Sequence, residues 1–200
     1  MSYEILHLWP IPIYKRNIGL KSEWEEVVES FEWKKMKSGT GQLTKTLSLL
    51  EDERLIELKN LVLSAAHEYT RHHYGILNKF KIVSSWALKT MPEEVAGFGE
   101  FHNHGNCVMS ASYYFDRTPE SGGISFKRNA TMNPMLAPNF EFEIGEDKPE
   151  NLDAIRVEPE PGDILFFPSH LEHRPELNMS DKKRLSMGCN FFPDGLSYWS

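Results

Sequence analysis

The chain has 200 residues, is 40% hydrophobic and 12% aromatic, and carries 22 Lys and Arg against 29 Asp and Glu, a net charge of −7. Content of this kind excludes an intrinsically disordered chain, and the length suits one domain with a substantial core. The longest apolar run is Ile164–Phe167, far short of the roughly 18 residues of a membrane span. The acidic balance disfavours nucleic acid and anionic membrane as partners.

The chain reads as a single domain over 1–200, in which 1–78 supply an N-terminal strand and supporting helices and 79–200 a β-rich core. Residues 4–16 are predicted to form a strand, with Pro10 and Pro12 at edge-compatible positions. Within 1–20 there is no apolar leader-like region, so a cytoplasmic protein is expected. Ser22 followed by Glu25 has the pattern of a capping box, and Trp24, Val27, Val28 and Phe31 follow at helical spacing. A second helix is predicted from about Asp52 to His73, with Leu55, Leu58, Leu61, Val62, Ala65 and Ala66 as its apolar stripe and Gly75 at its end.

Beyond residue 78 the period changes to two: Phe80, Ile82 and Ser84 alternate with Lys81, Val83 and Ser85. Short strands are predicted near 80–90, 97–104, 107–116, 122–127, 140–144, 154–158, 163–167 and 184–192. Turn signals such as Ser121-Gly122-Gly123, Pro161-Gly162-Asp163 and Pro193-Asp194-Gly195 separate them. The fold class is therefore mainly β with flanking helices (α+β), arranged as a jelly roll. Residues 129–152, interrupted by Pro134, Pro138 and Pro149, are expected to be a long loop or loose hairpin.

The histidines carry the chemistry. Of eight, His7, His67, His72 and His73 fall in the N-terminal strand and second helix and read as structural or surface residues. The others form two groups, His102 with His104 and His170 with His173. Two residues apart on a strand, His102 and His104 point to one face about 6.6 Å apart, close enough to converge on one ion. Neutral imidazoles suit Fe, Zn, Cu and Ni. The run 163–173 reads as a buried strand ending in a proline turn, and His173, rather than His170, is the expected third ligand. Three ligands leave coordination positions open, as catalysis requires.

Arg184-Leu185-Ser186 is the third element. Arg184 and Ser186 share a strand face, so a guanidinium fork and a hydroxyl can grip one carboxylate. An inward arginine needs a negative partner. A dicarboxylate cosubstrate and a carboxylate of the protein itself both meet that need.

In order, Phe101-His102-Asn103-His104-Gly105-Asn106, Met109-Ser110-Ala111-Ser112-Tyr113-Tyr114-Phe115, Ser121-Gly122-Gly123-Ile124-Ser125-Phe126, Pro161–Ser169, His173 and Arg184-Leu185-Ser186 resemble the Fe(II)- and 2-oxoglutarate-dependent oxygenases. The likeness extends over about 84–192 and is strongest to a branch of small bacterial and phage members. It implies a double-stranded β-helix and a metal triad in which His102 is the first ligand and His173 the distant one. His104 stands where the superfamily usually has Asp; Glu100, on the same strand face, and Asn106 are alternative third ligands. The resemblance also implies that Arg184 and Ser186 bind the far carboxylate of 2-oxoglutarate. Tyr113 or Tyr114 would hydrogen-bond the cosubstrate; Tyr113 is carried forward as the candidate, and Asn178 and Asn190 remain secondary ones. The expected cofactors are Fe(II) and 2-oxoglutarate. The expected reaction is hydroxylation of an unidentified substrate by O2 with release of succinate and CO2. A homodimer is left open.

Two other readings compete. A cupin-like three-histidine dioxygenase would have Glu shortly after the HxH pair, and 105–111 contain none. A non-enzymatic jelly-roll module would have no use for the metal. Trp86, Phe98, Phe101 and Tyr113 are candidates for a substrate pocket, and Met132, Met135, Phe140 and Phe142 for a cover over it.

Overall fold

The computed structural model describes residues 4–5, 10–36, 41–92, 100–116, 118, 120–128 and 143–195. Among the described residues, ten strands form two antiparallel sheets. In chain order the elements are β1 (Tyr14–Asn17), α1 (Ser22–Glu29), β2 (Trp33–Lys35), β3 (Gln42–Thr44), α2 (Ile56–Tyr74), β4 (Phe80–Thr90), β5 (Met109–Asp116), β6 (Ile124–Lys127), β7 (Ala154–Val157), β8 (Asp163–Pro168), β9 (His173–Pro175) and β10 (Arg184–Pro193). The large sheet runs β1-β8-β5-β10-β4-β3-β2, and the small sheet β7-β6-β9. Two facing antiparallel sheets of this order form the expected jelly roll.

Strand alternation builds two cores from the same strands. Ile164 and Phe166 of β8, Tyr113 and Phe115 of β5, and Leu185, Met187, Cys189 and Phe191 of β10 face α1 and α2, where Trp24, Val28, Leu58, Val62 and Ala66 close the packing. Leu165 and Phe167 point the other way, to Ile124, Phe126 and Leu171 between the sheets. The two helices therefore back the large sheet and leave its inner face to the small one.

Several local expectations change. The N-terminal strand is shorter than 4–16, because pairing with β8 begins only at Tyr14. The Ser22–Glu25 capping box does not form: Lys21 is the N-cap and makes no side-chain cap bond, while Ser22 lies inside the helix. The second helix begins at Ile56, after two short 3-10 turns, and Asp52 accepts the N–H of Arg54 rather than starting the α-helix. Its end is as expected, with Gly75 left-handed at φ 66°. The β2–β3 hairpin was not anticipated from the sequence.

Of the expected strand at 97–104, residues 97–99 lie outside the described residues, and 100–104 contribute only the bridge between His102 and His173. Likewise 140–142 lie outside the described residues, and 143–144 are not strand. Residues 143–152 form a loop with turns at Glu150 and Asn151. Met132, Met135, Phe140, Phe142, Phe98 and His7 all lie outside the described residues. Among the described residues, no helix is long and apolar enough to cross a membrane.

Candidate active site

The histidine segments are joined backbone to backbone. His102 N–H donates to His173 O at 3.0 Å, His173 N–H returns to His102 O at 2.9 Å, and His104 N–H donates to Ser169 O at 3.0 Å. The HxH segment is thus an added edge on β9, and this pairing sets all three imidazoles side by side. The candidate ligand atoms of His102, His104 and His173 lie within 4.8 Å of one another. His173 is buried, His104 half-buried and His102 exposed, so the cluster opens outward on one side.

The rings are presented for ligation. Nδ1 of His102 meets the carbonyl of Glu100 at 2.8 Å, and Nδ1 of His173 meets that of Leu171 at 2.9 Å. A carbonyl oxygen only accepts, so both Nδ1 atoms carry a proton and both Nε2 atoms are the ones turned to the cluster. Nε2 of His104 lies 3.2 Å from Nε2 of His173, close to the roughly 3 Å between neighbouring nitrogens on an ion with bonds of about 2.1 Å. Burial pushes the His104 imidazole down to about 4, helped by His102 nearby. Burial also brings His173 down to about 3, against the hydrogen bond to Leu171, which raises it. Both rings are neutral at pH 7, the form a metal needs. Phe167 packs on His173 with ring centroids 4.5 Å apart, and Trp86 on His104 at 5.4 Å.

The histidines open into a cavity of about 290 Å³ whose walls include Arg184, Ser186, Gly188 and Asn190 of β10 and Ser112 and Tyr114 of β5. Arg184 is 1% exposed. Its guanidinium donates to the carbonyl oxygens of Ser121 and of Glu176, the latter at 3.0 Å, and more weakly to Thr90 Oγ1 at 3.4 Å. The Ser121-Gly122-Gly123 turn makes room for it: Gly122 has φ +79°, and a Cβ there would come within 2.8 Å of Arg184 Nη1. Arg184 and Ser186 therefore lie where the sequence pattern led, facing the same cavity as the histidines.

Tyr113 does not join them. Register pairs it with Met187 on the helix side of the sheet, where its hydroxyl donates to Gly19 O at 2.7 Å; burial pushes its pKa up. Tyr114, paired with Ser186, is the tyrosine that lines the cavity. His170 and Glu100 are exposed and outside the cluster, although Glu100 lines the cavity, and Asn106 is exposed. Asn178 braces a loop, donating to Thr90 O and Lys182 O at 3.0 and 2.7 Å. Asn190 lies in the wall, bonded to Ser110 and Ser84. Trp86 and Phe101 both line the cavity, as the sequence suggested. Met36 and Leu43 line the cavity and Thr90 meets Arg184 without any prior sequence signal; only the pairing of β3 with β4 and of β4 with β10 would have revealed them.

Residues 84–190 match the sequence model of the family described as "Putative 2OG-Fe(II) oxygenase". The chain belongs to the 2OG-Fe(II) oxygenase family. Solved structures of several oxygenases share its fold. The alpha-ketoglutarate-dependent carbocyclase SnoK from nogalamycin biosynthesis is 14% identical with a TM-score of 0.64, covering 90% of this chain and 79% of its own. HygX from Streptomyces hygroscopicus, solved with nickel and 2-oxoglutarate, is 12% identical with a TM-score of 0.61, covering 95% and 86%. A Pseudomonas putida prolyl-4-hydroxylase is 13% identical with a TM-score of 0.58, covering 90% and 92%. No curated protein matches the sequence. The cofactors of this 2OG-Fe(II) oxygenase are Fe(II) and 2-oxoglutarate, and its donor set suits them: three clustered imidazoles beside a buried guanidinium that faces the same cavity. Family membership removes the ground for the cupin and structural-module readings.

Proposed function

We propose that His102, His104 and His173 hold Fe(II), that Arg184, Ser186 and Tyr114 hold the far carboxylate of 2-oxoglutarate, and that the enzyme hydroxylates an organic substrate. The observation that carries this reading is the convergence of three imidazoles within 4.8 Å on a cavity that also exposes Arg184. Bound together, the metal and cosubstrate supply O2 activation coupled to conversion of 2-oxoglutarate into succinate and CO2.

The protein's part is to bind, orient and exclude water. The Glu100 and Leu171 carbonyls fix the tautomers of His102 and His173. Oxygens of Ser121, Glu176 and Thr90 hold the plane of the Arg184 guanidinium, so a carboxylate meets a preset cation. Ser186, two residues on, adds a hydroxyl on the same face. With His104 in place of a carboxylate, no ligand offsets the metal's 2+ charge, and the dianionic cosubstrate takes that role. Phe167, Phe126 and Trp86 keep the inner side of the ligand cluster dry.

The test is anaerobic loading with Fe(II) and 2-oxoglutarate, read by the weak visible charge-transfer band of the chelate, followed by air and assay of succinate. The band should form and succinate should appear. Loss of both would overturn the reading. A substrate product heavier by one oxygen would establish hydroxylation over the ring closure that a carbocyclase carries out.

A further inference from the structure

The cavity is electrically polar along its length. Among the described residues, its lining contains two formally charged side chains besides the histidines: Arg184, buried, and Glu100, exposed at the mouth. No cation pairs with the Glu100 carboxylate among the described residues; only its backbone carbonyl is engaged, by His102. Residues 100–104 extend the small sheet beyond β9, and Glu100 lines the same cavity as Trp86 and Leu88 of β4 and Leu43 of β3, with Arg174 and Lys127 over the neighbouring Phe101 ring.

Trp86, Leu88 and Leu43 make this stretch of the wall apolar, and the exposed Lys34 of β2, in register with Leu43, stands beyond them. Ser186 pairs with Leu88, and Leu88 with Leu43, so a hydrocarbon wall steps outward from the cosubstrate side over two strand spacings, about 10 Å. Met36 extends it. Trp86 forms its floor because Gly188 lies beneath: a Cβ at Gly188 would come within 2.6 Å of the indole Cζ2.

We propose that this outer compartment binds a substrate group made of a cation on a hydrocarbon stem, with Glu100 pairing the charge and Trp86, Leu88, Leu43 and Met36 covering the stem. The inference rests on the metal assignment above for which end of the cavity is left to substrate. An anionic cosubstrate is drawn to Arg184 and a cationic substrate to Glu100, so the two do not compete for one end. The side chain of a basic residue and a free alkylamine share this chemistry.

The probes are n-hexylamine, 1-hexanol and hexanoate at one pH, titrated calorimetrically into the full chain without metal, and into the Fe(II)–2-oxoglutarate complex with the chelate band as readout. The amine should bind about fivefold tighter than the alcohol, the size of one partly screened charge pair, and hexanoate should bind weakest. Glu100→Gln should level amine and alcohol. Equal affinities, a preference for hexanoate, no binding of any probe, or an amine preference that survives Glu100→Gln would each overturn the proposal. Failure of the band in the unsubstituted protein would instead sink the metal assignment, and the calorimetric arm would still read the cation site. Tighter binding of an N-acetylated lysine amide than of n-hexylamine would make a basic side chain the source, and the reverse order a free amine.

Discussion

The two faces of the large sheet are made by the same strands and have opposite chemistry. Along β10, Leu185, Met187, Cys189 and Phe191 face the helices and are fully buried in a dry core, and burial there pushes the Cys189 thiol up. One residue out of phase, Arg184, Ser186, Gly188 and Asn190 face the cavity. The dry face supplies hydrophobic stabilisation and fixes the strands. The wet face uses that rigidity to hold a buried cation and an indole floor at set positions, at some expense in stability. A change on the dry face should therefore cost folding, and a change on the wet face should cost binding.

The largest effect is expected at the ligands. His173→Ala should weaken Fe(II) binding by more than about 100-fold, measured as metal content after dialysis, with the urea midpoint of the metal-free protein little changed. A His173→Ala protein with full metal content would remove His173 from the ligand set. On the opposite face, Phe191→Ala should cost about 3–5 kcal/mol in urea unfolding, because the side chain is fully buried against Phe166. Its folded fraction should still form the chelate.

Arg184→Lys sharpens the contrast within the wet face. A point charge replaces a planar fork, and 2-oxoglutarate affinity should fall about tenfold while Fe(II) loading is kept. Gly188→Ala should cost about 1–3 kcal/mol and shift Trp fluorescence, since the new methyl displaces Trp86 from the sheet.

The smallest effect is electrostatic and lies where α1 meets the large sheet. Burial pushes the Glu29 carboxyl up, but hydrogen bonds from Lys183 and Lys89 outweigh it and leave its pKa below the ordinary value. A depressed carboxylate pKa contributes stability above its unfolded value near pH 4.3 and loses it as pH falls through the folded value. Glu29→Gln should remove up to about 1 kcal/mol at neutral pH and flatten the acid limb of a stability–pH curve. An unchanged limb would show that the cluster contributes nothing.

Much of the wet face was legible in the sequence. Spacing alone gave His102 and His104 one strand face, and Arg184 and Ser186 another, because alternation is a local property of an extended chain. The two helices and the Gly75 stop were legible for the same reason, although the capping box at Ser22 was not: the chain turns into the helix one residue earlier, at Lys21. The choice between Tyr113 and Tyr114 was beyond local pattern. Both sit on one strand, and which of them faces the cavity depends on register against β10, which a long-range pairing decides. The β2–β3 hairpin escaped notice because strands of three residues carry too little periodicity to read.

The sequence by itself determined the residue types, their alternation and their order along the chain, and so the jelly roll, the candidate metal ligands and the arginine. Only the tertiary structure decided that the HxH segment pairs directly with the strand of His173, that Tyr114 rather than Tyr113 faces the site, and that an exposed Glu100 and a buried Arg184 line one cavity. The physical reason is the range of the forces involved. Side-chain alternation is set by neighbouring dihedral angles, whereas strand partners and cavity walls are set by contacts between residues far apart in sequence, chosen by the packing of the whole core.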